Sequence, residues 1–161
     1  MTRLKLVMGT LAVLIGIGLL SHAQDTQDNT QLGTWLVTVT PPAGSGASSF
    51  NVLYTFAAGG GLITTSQIDH LVPNTGVLQG SWRRSDQGEI NSTLVAFLYD
   101  PTGAAIGTLK LRATYKFGDA NNLIGIGQQA ICDVDVAKCN WLPGSAKLTG
   151  KRLAIEEPVD R

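Results

Sequence analysis

The feature that most constrains this chain is Asp100-Pro101-Thr102-Gly103, a run with turn chemistry at every position, set between two long segments that alternate apolar and polar residues. Pro101 presets φ, Asp100 accepts backbone hydrogen bonds, and Gly103 tolerates the left-handed conformation of a bulged hairpin loop. Glu89 to Phe117 is therefore predicted to be a β-hairpin. Pairing Asp100 with Ala104 sets Phe97 against Gly107, Val95 against Leu109, Thr93 against Leu111, Asn91 against Ala113 and Glu89 against Tyr115, all on one face. That face is apolar near the turn and polar toward Asn91 and Glu89, the character expected of strands lining a cavity. The other face carries Leu94 with Lys110 and Ser92 with Arg112.

The same alternation extends in both directions. Gly33 to Thr40 has period two and stops at Pro41-Pro42, which cannot continue a ladder. Phe50 to Ala57 places Phe50, Val52, Tyr54 and Phe56 on one side, Gly59-Gly60-Gly61 turns the chain, and Leu62 to Asp69 returns it. Gly76 to Arg84 follows, and the turn Ser85-Asp86-Gln87-Gly88 puts Arg83 opposite Asn91, Ser81 opposite Thr93, Gln79 opposite Val95 and Val77 opposite Phe97. Asp119 to Asn122 leads into Leu123 to Asp133, with Gly125 and Gly127 facing Phe117 and Tyr115. Leu142 to Ile155, bent at Pro143-Gly144, ends the series. The fold class is all-β: eight strands in up-and-down antiparallel order, about the number that closes into a barrel holding one small ligand.

The two ends of the chain read differently. Arg3 and Lys5 precede an uncharged run from Leu6 to Leu20, and Ser21-His22-Ala23 supplies small residues for cleavage before Gln24, so residues 1–23 are expected to be a signal peptide. The run is short for a membrane span of about 20 residues, and no Cys follows the cleavage point to carry a lipid. Residues 24–32 are expected to form a flexible lead-in, 33–155 a single barrel domain and 156–161 a charged tail. Without Arg3 and Lys5 the acids outnumber the bases, which argues against a nucleic-acid partner. Cys132 and Cys139, in a secreted or periplasmic chain, read as a disulfide bridging the arms of one hairpin. Their spacing suits no metal site, and His70 is the one histidine after the signal, so no metal or cofactor is expected.

Gly33-Thr34-Trp35 at the start of the first strand, with Arg152 in the last, resembles the calycins: the lipocalin, fatty-acid-binding and avidin-like barrels. The resemblance implies that Trp35 caps a closed end and that Arg152 packs over it, the first and last strands being paired. The lipocalin threonine-aspartate signature and a helix after the last strand are absent. In architecture the chain also resembles, more distantly, the allene oxide cyclase and dirigent barrels.

Three functional readings follow. The first is a secreted barrel that binds a small, largely apolar molecule among Tyr54, Phe56, Val95, Phe97, Leu109, Leu111 and Tyr115, with Gln79, Ser81, Arg83 and Asn91 recognising a polar group. The second is a small-barrel cyclase or isomerase acting on an unsaturated substrate, with Arg83, Glu89 and Asn91 as candidate catalytic residues. The third is a structural or interaction barrel with a filled core. Asp69-His70 is a weaker acid–base pair, and Asn91-Ser92-Thr93 has the form of a glycosylation acceptor on an inward-facing residue. The registers leave Leu78, Trp82, Leu94, Leu98, Ile106, Ile124 and Ile126 facing outward, which predicts a homo-oligomer in which a neighbouring subunit buries Trp82, the alternative being a register off by one that makes this row the core and puts the Arg83 face outside.

Overall fold

Strands form where the alternation places them, with one short addition. The computed structural model describes residues 29–67 and 75–156. The expected signal peptide, most of the expected lead-in, the Asp69-His70 pair and residues 157–161 of the expected tail lie outside the described residues. The strands are β1 (Gly33–Thr40), β2 (Phe50–Phe56), β3 (Gly61–Ser66), β4 (Leu78–Arg84), β5 (Ile90–Tyr99), β6 (Ala105–Phe117), β7 (Asn122–Cys132), β8 (Cys139–Trp141) and β9 (Ala146–Arg152). Each of β1 to β7 pairs antiparallel with the next, and β9 pairs with both β7 and β1. Those eight strands close into an up-and-down barrel, which leaves none of them an unpaired edge. β8 is the addition: it pairs with the last residues of β7 beyond the reach of β9, and the Cys132–Cys139 disulfide joins the two arms.

One end of the barrel is closed by a tryptophan. Trp35 is fully buried, its indole N–H donates to the Gln31 carbonyl at 2.9 Å, and the Phe117 ring meets it edge-on at 4.9 Å. Arg152, directly across the β1–β9 ladder, holds its guanidinium 4.5 Å from the Trp35 ring centroid. The same guanidinium donates to the carbonyls of Ala120, Leu32 and Thr30. The expected flexible lead-in thus ends in order: residues 29–32 cross the closed end, and Gln31 is buried there with its side-chain oxygen accepting from Arg84 at 2.7 Å.

The strongest correction concerns which face of β4 and β5 looks inward. The turn itself forms as expected, with Asp100 N–H donating to Ala104 O at 2.9 Å, Gly103 at φ 86°, and the Asp100 carboxylate accepting from Thr102 and Ala104. Immediately beyond it a β-bulge intervenes: Tyr99 pairs with Ala105 but Leu98 pairs with Gly107, so Ile106 is an extra residue on β6. Every later pair is displaced by one, and Ile90 rather than Glu89 faces Tyr115. A one-residue slip exchanges the two faces of a strand. β6 keeps its expected inward row, whereas β5 is inverted. β4 turns over with it, because the β4–β5 register is the expected one, with Arg83 on Asn91 and Gln79 on Val95.

Leu78, Trp82 and Leu94 therefore lie in the core, and Trp82 donates to Ala57 O at 3.0 Å inside its own chain. Trp82 is thus buried by its own chain and not by a neighbouring subunit. Ile106, Ile124 and Ile126 do remain outside. Gly80, between Leu78 and Trp82, marks where β4 presses hardest on β5: a Cβ there would lie 1.9 Å from the Thr93 carbonyl oxygen. The β6–β7 register is shifted by two from expectation, pairing Tyr115 with Gly125, which preserves the face. There the small residue still admits the ring, since a Cβ on Gly125 would be 3.0 Å from Tyr115.

Candidate functional site

The interior was the expected binding site, and five of its predicted residues do point inward. Tyr54, Phe56 and Tyr115 are buried, and Leu109 and Leu111 pack against the core from a half-buried position. The three aromatic ones pack on one another. Phe56 lies among Tyr54, Trp82, Tyr115 and Phe117, with ring centroids at 6.3, 6.2, 5.5 and 5.9 Å, and Tyr54 meets Tyr115 at 5.8 Å with planes at 88°. These are the offset and edge-on contacts that aromatic rings make when they are packed together. Burial pushes the Tyr54 phenol up to about 12, a hydrogen bond with Tyr115 opposing. It raises Tyr115 well above the ordinary value too, with the neighbouring Tyr54 adding to the rise and a hydrogen bond with Ser92 at 3.1 Å opposing it.

The end away from Trp35 is more open. Leu109 pairs with Ile131 and Leu111 with Gln129 on the inner row, yet Ile131 is 42% exposed and Gln129 is exposed. The barrel thus has one end sealed by Trp35, while toward the other end the inner row of β7 is exposed at Gln129 and Ile131.

The polar residues expected inside lie outside. Gln79, Ser81, Arg83 and Phe97 are exposed on the outer face of β4 and β5, with Asn91 and Val95 half-buried on the same outer row. The physical reason is the Ile106 bulge. Glu89 sits near the barrel rim and pairs with Lys116 at 3.0 Å rather than with Arg83. Arg83, Glu89 and Asn91 consequently do not converge on an enclosed space.

What the structure does assemble is a polar groove on the outer wall. Two cross-strand rows run over β5, β6 and β7: Thr93, Arg112 and Gln128 in one, Asn91, Thr114 and Ile126 in the other. They line a depression of about 330 Å³, with Ser145 at its edge. Arg112 donates through Nε (3.0 Å) and Nη2 (2.8 Å) to Gln128 Oε1, and its guanidinium lies 3.9 Å from the centroid of the Trp141 ring. Thr114 donates to Asn91 Oδ1 at 2.7 Å. Of these residues Asn91 was expected at a site, with Thr93 on the same face. Arg112 lies on its expected outer face, but the unforeseen bulge sets it opposite Thr93 instead of Ser92; the two-residue shift of the β6–β7 register hid its pairing with Gln128, and the brevity of β8, three residues with no alternation to read, hid Trp141.

Comparison with known proteins finds no match: no protein family, no curated protein and no solved structure corresponds to this chain.

Proposed function

We propose that this is an exported, calycin-like barrel that works as an interaction module, meeting its partner with its outer wall and open end instead of enclosing a ligand. The observation that carries the reading is the Phe56 ring, fully buried among four other aromatic rings where an internal ligand would lie. Trp35 beneath Arg152 on paired first and last strands supports the calycin likeness. The Cys132–Cys139 disulfide supports export, since such bonds persist in oxidising compartments. The test is native mass spectrometry of protein purified from its host. The expected mass is that of the chain from Gln24 with two protons missing and nothing bound; a stoichiometric apolar small molecule would overturn the reading.

A second reading keeps a small apolar ligand but seats it at the mouth, and the exposed inner-row residue Ile131 favours it. Substituting Ile131→Asp would then abolish uptake of a fluorescent apolar probe, whereas an interaction module with a filled core takes up none to begin with.

A further inference from the structure

The groove over β5, β6 and β7 has an imbalance of hydrogen-bonding chemistry that states what it would take. An arginine can only donate, so the two bonds from Arg112 fix the Gln128 amide with its oxygen toward the guanidinium and its NH2 group turned away. The Asn91 oxygen is likewise occupied by Thr114, which leaves the Asn91 NH2 group as a donor. Trp141 backs the guanidinium plane and holds it flat, while Nη1 takes no part in the contacts with Gln128. Around the groove both side-chain amide oxygens are engaged, Gln128 Oε1 by two donors and Asn91 Oδ1 by one, and the two amide NH2 groups are the donors left over. No carboxylate is among the residues that line it. Lys147, paired with Ile126 across β7 and β9, adds a further cation on the same outer row.

We propose that this groove binds a carboxylate group, held by Arg112 Nη1 and the amide NH2 groups of Asn91 and Gln128, with the Thr93 hydroxyl beside them. A carboxylate accepts only, and charge-assisted bonds from a planar guanidinium are the strong ones available to an exposed site. The carboxylate can belong to a free small acid or to repeated acidic sugars along a chain; the chemistry at the groove is the same. The proposal deepens the surface-acting reading above by naming what one part of the outer wall recognises.

The experiment is a titration of the oxidised, signal-free chain, followed by amide and side-chain NMR shifts, with three probes: galacturonate, an oligogalacturonate and neutral galactose. The acid probes are expected to shift the Asn91 and Gln128 side-chain NH2 signals and the Trp141 indole, weakening as ionic strength rises, while galactose has no effect. A gain in affinity for the oligomer over the monomer, counted per carboxylate, identifies a polymer as the source; equal affinity identifies a free acid. Gln128→Glu supplies Arg112 with an internal carboxylate on the same wall and should lower affinity for the acids by about tenfold or more with the barrel intact. Arg112→Gln should do the same by removing the cation. Galactose binding as well as galacturonate, or acid binding unchanged in both variants, would overturn the proposal. An apolar molecule retained in the interior would instead remove the filled-core reading and leave the groove result standing, so the two failures are distinguishable.

Discussion

Phe56→Ala tests the filled interior most directly. The ring is 1% exposed and touches four other aromatic side chains, Tyr54 on its own strand, Trp82 on β4, and Tyr115 and Phe117 on β6. Truncation removes the transfer free energy of the ring and leaves a hole whose walls cannot easily collapse, because barrel strands are fixed on both sides by ladders. Phe-to-Ala substitutions in such cores cost about 3–5 kcal/mol, and poor collapse places this one toward about 4–5 kcal/mol. Urea denaturation monitored by tryptophan fluorescence reads the loss, with an unchanged m-value expected if only the native state is affected. The hole is apolar and should stay dry, so benzene should recover part of the stability of the variant while leaving the parent protein unmoved. A cost under about 1 kcal/mol, or benzene stabilising the parent as well, would refute the reasoning: the parent interior would already contain a cavity.

Arg152→Met should destabilise the barrel by about 2–4 kcal/mol, since three carbonyls at the closed end lose a charged donor; hydrogen exchange at the Trp35 indole should speed up, and an unaltered rate would contradict the plug. Gly80→Ala drives a Cβ onto a backbone oxygen, so it should cost more than Ala substitution at the exposed Ser81, measured by thermal denaturation. Raising the pH from about 10 to 12 should erode stability. The unfolded chain ionises its phenols there while folded Tyr54 and Tyr115 keep their protons, so stability is full below pH 10 and falls by about 1.4 kcal/mol per unit for each such tyrosine. Tyrosinate absorbance that tracks unfolding checks this, and early ionisation of both phenols without unfolding would contradict it.

The barrel was legible because alternation and turn residues act locally: the Asp100 to Gly103 turn, the β4–β5 register and the Trp35–Arg152 pairing are all written in adjacent residues or in one motif. The site was not, because it depends on parity summed over several strands. The Ile106 bulge is one residue, and its local sign is only Gly107 beside it, an isolated glycine in a strand pattern. It sent Arg83, Gln79 and Ser81 to the outer wall and Trp82 to the core. The crowding of outward Leu78, Trp82 and Leu94 was itself the sign of that inversion, because so much apolar surface on neighbouring strands belongs inside.

The closed end is a clasp whose two halves come from opposite ends of the chain. Residues 29–32 lie across the base of the barrel, and what fastens them is Arg152, a guanidinium made more than a hundred residues later. A ribosome delivers those halves in order, so Trp35 and Arg84 can reach Gln31 early, while Thr30 and Leu32 wait through the whole synthesis of the meander for the guanidinium that holds them. Until β9 arrives, β1 also presents an open edge, and the indole of Trp35 has no cation above it. The first strand to emerge is thus among the last to be secured. Truncation anywhere before Arg152 would release the beginning of the fold along with its end.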